Sequence, residues 1–331
     1  MKQTNRTGWK GLFFNILFIA IFLTSCSNEE TPALSISTGG MQGSYLAAGQ
    51  TLARIANENR SDELLILNAK SSLGSVANIN AISSGESEFG IAQADHQYLA
   101  VNGLGDWSDT GPQQDLRAVF NIYVEAVTLV AGADTDIRMV SDLRGKIVDI
   151  GSPESGTRRN AIDALNAAGL NWQTDIQARE ESLDERLSMF TRGELDAFFY
   201  TAAHPNRDIK FATFSVRGAR IIPLENIDSI IAEYSFFTRD MIPASIYLKA
   251  DNKADIETLG INATLLTSAN VPDDVVYAIT KAVLENLDSL NEFDTKFNAL
   301  LNGKATDSLV VPIHPGALKY YREIGLDVPQ G

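Results

Sequence analysis

The sequence predicts an α/β protein of two lobes, the second inserted into the first. Short apolar runs alternate along the chain with segments of helical periodicity, as in sheets crossed by helices. Two of these runs pass through a glycine- and serine-rich loop straight into a helix start, at residues 34–45 and again at 147–157. The roughly 300 residues beyond an N-terminal leader suffice for two cores.

The first element is the leader itself. Lys2, Arg6 and Lys10 precede an almost wholly apolar stretch, residues 11–25, which ends in Leu23-Thr24-Ser25-Cys26. That stretch is short for a membrane span, which takes ~20 residues. The reading is a bacterial lipoprotein signal peptide over 1–25, with Cys26 as the lipidated new N-terminus; the competing reading is an uncleaved anchor helix with an incidental cysteine. Cys26 is the one cysteine in the chain, so an internal disulfide is impossible. Residues 26–33 read as a tether. The formal net charge is −15, and removal of Lys2, Arg6 and Lys10 with the leader takes it to −18. Such acidity argues against nucleic acid or an anionic membrane surface as partner. A small anionic ligand stays possible, because a helix end acts locally.

The body begins with a strand near Leu34, the loop Thr38-Gly39-Gly40-Met-Gln-Gly43, and a helix carrying Leu46, Leu52 and Ile55. Strand, bare loop and helix start point backbone N–H groups at one spot, a site suited to a carboxylate or phosphate. The spacing matches neither nucleotide fingerprint, and a tight turn with a plain helix start is the alternative. A strand at 64–67, a helix at 75–84 opened by Ser75 with Asn78 one turn in, and a strand at 89–92 follow. Gln93 and Asp95 then lie beyond a strand's carboxyl end, where ligands of open α/β sheets bind. Either can accept from an ammonium, or Asp95 can simply cap a helix. Residues 116–120 and 126–131 read as two further strands.

Around residue 134 the chain turns polar, then restarts with a strand at 147–150 and the loop Gly151-Ser-Pro-Glu-Ser155-Gly156-Thr157. Gly156 allows a close backbone approach, and Ser155 or Thr157 caps the helix expected at 158–168. Arg158 and Arg159 in its first turn either meet an anion or face solvent. A helix at 182–192 and a strand at 195–200 lead to His204, a ligand contact or a loop-satisfying residue. Residues 203–260 are hard to read beyond a strand near 220–223. A strand at 261–266, a helix at 272–287 and a helix start at His314 close the chain. The expected lobes are 33–134 with 240–331, and 135–239.

Catalysis is poorly supplied. The histidines are three, His96, His204 and His314, in no zinc-type spacing, and no Gly-x-Ser-x-Gly elbow is present. No catalytic residue, metal or cofactor is expected, and the paired acids Glu180-Glu181 and Asp273-Asp274 read as solvated faces.

The ordered set Thr38-Gly-Gly-x-x-Gly-x-Tyr45, Gly74-Ser-Val-x-Asn78, Gln93-x-Asp95, Asp142-Leu-Arg-Gly-Lys146, Gly151-Ser-Pro-x-Ser-Gly-Thr157, Asp196-Ala-Phe-Phe199, Val276-Tyr-Ala-Ile-Thr-Lys281 and His314-Pro-Gly-Ala-x-x-Tyr-Tyr-Arg-Glu323 resembles the TAXI-type solute-binding proteins of tripartite ATP-independent periplasmic (TRAP) transporters. The resemblance spans about Leu34 to Leu326. It implies a two-lobed periplasmic-binding fold of type II with its ligand between the lobes. It also implies a small carboxylate ligand such as glutamate, glutamine or a related acid, and delivery to a TRAP membrane permease. Carried over, Thr38, Gly39, Gly40, Tyr45, Ser75, Asn78, Gln93 and Asp95 line the first lobe, and Ser155, Gly156 and Thr157 the second, with His204 nearby. Glu154, Ala203 and Ser245-Ile246 depart from the family pattern near the expected site. Rival readings are a binding protein of an ABC importer or sensor kinase, and a surface serine hydrolase using His204.

Overall fold

The computed structural model describes residues 33–41, 43–59, 66–293, 297–326 and 328. The leader, Cys26 and the tether up to residue 32 lie outside the described residues, as does the start of the strand expected from Leu64.

The first half opens with β1 (Ala33–Ser37), α1 (Ser44–Asn59), β2 (Ile66–Lys70), α2 (Ser75–Ser84), β3 (Phe89–Gln93) and α3 (Ala94–Asn102). β1 runs parallel to β2 and β3. α1 buries Ala48, Leu52, Ile55 and Ala56, a spacing that keeps one helical face on the sheet. A long strand follows, β4 (Leu116–Gly132). Then come β5 (Ile147–Asp149), α4 (Gly156–Ala167), β6 (Gln177–Arg179), α5 (Leu183–Arg192) and β7 (Ala197–Ala202). The stretch that resists reading from sequence holds α6 (Arg207–Phe214), β8 (Ala219–Ile222), α7 (Ile227–Glu233), β9 (Phe237–Ile242) and the start of β10 (Ile256–Ser268). α8 (Asp273–Leu284), α9 (Leu287–Phe293), α10 (Asn298–Leu301) and α11 (Pro315–Glu323) complete the chain.

The sheet runs β2-β1-β3-β10-β4-β7-β5-β6, with β8 beside β4 and β9 beside β10. β4 and β10 belong to both halves. Along Leu116–Ala126, β4 pairs antiparallel with β10; from Ala126 to Ala131 it pairs with β7, and from Leu129 to Gly132 with β8. β10 does the reverse, leaving β9 at Ile261 and pairing with β3 from Ala263 onward. The two separate strands expected over 116–120 and 126–131 are therefore one. Asn121, the first polar residue after the expected end of the first strand, is satisfied sideways. Its Nδ2 donates to Asp307 O at 2.6 Å, and its Oδ1 accepts from Thr264 Oγ1 at 2.8 Å. A register irregularity between Asn121 and Tyr123 bends the strand without ending it.

One core joins α1, α8 and α11 to the first half through Ile36, Leu52, Phe89, Phe120, Val276 and Tyr321. Another, with Val148, Ala161, Leu165 and Phe199, fills the second half. No helix among the described residues is long and apolar enough to cross a membrane.

Candidate ligand-binding cleft

Four helices begin at one cleft of about 200 Å³: its lining takes Ser44 from α1, Ser75 from α2, Gly156 and Thr157 from α4, and Leu183 from α5. Each brings first-turn N–H groups and the positive end of its dipole. The two glycine-bearing loops, residues 38–43 and 151–157, therefore face each other across the same space, with Gly39 and Gly40 on one side and Ser152 and Ser155 on the other.

Of the residues expected at the site, Gly39, Gly40, Tyr45, Ser75, Gln93, Ser155, Gly156 and Thr157 line the cleft. Thr38, Asn78, Asp95 and His204 are not among the lining residues. Thr38 is buried with its hydroxyl donating to Lys70 O at 2.6 Å. Asn78 is a hub. Its amide N–H groups go to Thr38 O (2.5 Å) and Ile91 O (2.6 Å), and its Oδ1 accepts from Ser37 Oγ (2.7 Å) and Ser72 Oγ (2.6 Å). All four of its hydrogen bonds are used, so it holds the loops that shape the wall.

Asp95 spans the halves instead of facing the ligand space. Oδ2 accepts from Asn160 Nδ2 on α4 at 2.7 Å, and Oδ1 from His96 N at 2.7 Å. His204 sits between the Tyr247 hydroxyl (2.7 Å) and Thr128 Oγ1 (2.9 Å). Arg158 pairs with Glu180 at 2.5 Å and Arg159 with Asp163 at 2.9 Å, so side-chain carboxylates account for both cations of α4's first turn. Glu154 is exposed; its carbonyl, not its carboxylate, reaches the first half, accepting from Val76 N at 3.3 Å.

Sequence reasoning missed two charged residues in the lining, Glu125 and Arg186. Glu125 is 1 % exposed in mid-β4. Its Oε2 accepts from the Tyr45 hydroxyl at 2.8 Å and from Gln93 Nε2 at 3.1 Å. Burial pushes its carboxyl up to about 8, against the hydrogen bonds from Tyr45 and Gln93, while the nearby Asp95 adds to the rise. Burial likewise raises the Tyr45 hydroxyl well above its ordinary value. Arg186 forms a buried ion pair with Asp149, whose other oxygen accepts from Glu181 N at 2.7 Å. A signal was there in both cases: a charged residue inside an apolar run or on a buried helical face requires a partner.

Gly156 fits closely against Gln93. An added Cβ would lie 2.0 Å from Gln93 Oε1 and 2.4 Å from Cδ. The amide would have to leave, with loss of its hydrogen bond to Glu125. Gly156→Ala is expected to cost about 1–3 kcal/mol, the range for stranding a buried polar partner. Urea unfolding reads it, and Gln93→Ala in the same chain should restore part of the loss. Additive effects of the two substitutions would refute the contact.

A model of the NMT1-like family matches residues 36–325, and the chain belongs to this family of periplasmic solute-binding proteins. Among solved structures, one described as a periplasmic transporter is similar at 16 % identity and a TM-score of 0.51, over 89 % of this chain and 93 % of that one. A protein of Bordetella bronchiseptica RB50 is similar at 16 % identity and a TM-score of 0.50, over 90 % of each chain. The likeness is one of fold, two-lobed and of type II, as the sequence predicts.

Proposed function

We propose that the protein is a lipid-anchored extracytoplasmic receptor that captures a small carboxylate, such as a glutamate- or glutamine-like amino acid or a related organic acid, and delivers it to the membrane subunit of a TRAP transporter. The convergence of the N-termini of α1, α2, α4 and α5 on one cleft carries this reading. Donors there are backbone N–H groups together with the hydroxyls of Ser75 and Thr157, and that of Ser155 once it turns from Ser152 O, to which it donates at 2.7 Å, toward the ligand. The lobes, expected as 33–134 with 240–331 and as 135–239, pivot where β4 and β10 change partners, near Ala126 and Ile261, so that the end of β4 and the start of β10 travel with the second lobe. Closure brings hydrogen bonds to the ligand from both sides. The TRAP assignment rests on the ordered loop motifs; anchoring through Cys26 rests on the leader. A receptor role also suits His204, the histidine a serine hydrolase would need, because it is engaged by Tyr247 and Thr128.

A thermal-shift panel of amino acids, dicarboxylates, oxo acids and sugars tests the reading. A ligand at 100 times its Kd adds about 2.7 kcal/mol of stability. The Ser155→Ala, Thr157→Ala double variant is expected to weaken carboxylate binding at least about tenfold, as loss of two hydrogen bonds to a charged group predicts. Unchanged affinity would remove these residues from the site. Neighbouring genes separate the partners: a fused multi-span permease supports TRAP, an ATPase or a kinase the alternatives.

A further inference from the structure

We infer that Asp95 and Asn160 form a clasp that holds the two lobes closed: Asp95 takes its hydrogen bond from the second lobe and not from the ligand, and the pair sets how tightly any ligand is kept. Both are positioning residues. This rests on the two-lobed closure in the receptor reading and deepens it, without depending on the ligand class.

Each partner is prepared from within its own lobe, and both are buried. On β7, Thr201 Oγ1 donates to Asn160 Oδ1 at 2.9 Å, which fixes the sense of that amide. On the first lobe, Asp95 Oδ1 accepts from His96 N at 2.7 Å. Asp95 Oδ2 and Asn160 Nδ2 are thereby left to meet each other, at 2.7 Å. A hydrogen bond to a buried carboxylate is among the stronger ones a protein makes. Opening the lobes would exchange it for water on both sides.

Two further contacts set the same helix against the second lobe. Ala94 is buried in the second core, and the Tyr98 ring lies 5.6 Å from that of Phe236. Ala94 and Tyr98, four positions apart, share one face of α3.

The clasp also connects to the ligand wall. Thr157 and Thr201 line the cleft, and Thr201 N donates to Thr157 Oγ1 at 3.1 Å. A ligand that fixes the Thr157 hydroxyl steadies Thr201, Thr201 orients Asn160, and Asn160 reaches Asp95 in the other lobe. Occupancy of the cleft and closure of the lobes therefore share one chain of hydrogen bonds.

Reversing the two side chains tests this on the purified protein, with L-glutamine, L-glutamate and 2-oxoglutarate as probes. Asn160→Asp sets a carboxylate against a carboxylate. It should weaken every probe that binds by one common factor, at least about tenfold, as loss of a hydrogen bond to a charged group predicts. Faster release should account for most of that loss. Adding Asp95→Asn returns a donor and an acceptor to the contact with roles reversed, and should restore at least part of the affinity. A residue touching the ligand would instead change the ranking of the probes, and a merely structural one would not be rescued from the opposite lobe.

Hydrogen exchange gives a readout that needs no ligand. Val76 N lies in the first turn of α2, where helices offer their N–H groups no acceptor, and it donates to Glu154 O of the second lobe at 3.3 Å. In the protein without ligand this amide should exchange at least about tenfold faster in Asn160→Asp than in the wild type, and slow again in the double variant. Amides of β3 and β7 should stay as they are. Unequal losses among the probes, no rescue by Asp95→Asn, or Val76 exchange that ignores both substitutions overturns the inference and leaves the receptor standing. Binding of no probe counts against the carboxylate reading alone, and Val76 exchange then decides the clasp.

Discussion

Asp149→Ala is expected to lower the unfolding free energy by about 3–5 kcal/mol, the range for removing one partner of a buried ion pair. Asp149 is fully buried and serves three donors: the Arg186 guanidinium, Glu181 N at 2.7 Å and Gly151 N at 3.1 Å. Alanine would strand a cation and two backbone N–H groups in the interior. The effect should be read as a lowered urea midpoint with little change in slope. Combining it with Arg186→Met should recover part of the loss, because the uncompensated charge is gone while the stem still packs beside Tyr200, 5.6 Å from the guanidinium carbon. A single variant that unfolds like the wild type would mean that water already reaches the pair.

Stability of the ligand-free protein is expected to fall as pH rises from about 4.5 to about 8, in part through Glu125. Its carboxyl ionises near 4.5 in the unfolded chain and near about 8 in the folded one. Between those values the unfolded state gives up a proton that the folded state retains, so rising pH favours unfolding. The contribution is complete below the lower value and exhausted above the upper. At about 1.36 kcal/mol per pKa unit it amounts to at most about 5 kcal/mol. Glu125→Gln keeps the shape and removes the titration. The variant should gain on the wild type steadily across this window in melting temperature and urea midpoint. Parallel profiles would show that Glu125 ionises equally in both states. A residue that weakens its own fold at neutral pH is what a binding function, not a structural one, explains.

The parts of the site legible in sequence are those encoded locally. Gly39-Gly40, Ser75 and Ser155-Gly156-Thr157 sit at helix starts, where side-chain chemistry and spacing announce the element. Thr38 and Asn78 carry the same signature but turn inward, because the loops they join are distant in sequence and meet only in the sheet. Glu125 and Arg186 each signalled the need for a partner, but the partner's identity was illegible for the converse reason. Glu125 meets Tyr45 across 80 positions, and Arg186 meets Asp149 across 37; nothing local marks either pairing. In the fold, the strand–loop–helix units could be read from their periods. The unity of β4 could not, since Asn121 finds its partners in Thr264 and Asp307, far along the chain.

The position of β10 has a consequence for how the chain assembles. It lies between β3 and β4, yet it is made after all the other strands of the sheet. Until residues 256–268 arrive, the facing edges of β3 and β4 carry open backbone groups. Such edges invite pairing with other chains. Completion therefore depends on one late insertion of high sequence separation, a slow step by its topology. A chain cut short before Ile256 cannot complete the shared ladder of either half, so an interrupted product has no stable substructure of this architecture on which to rest.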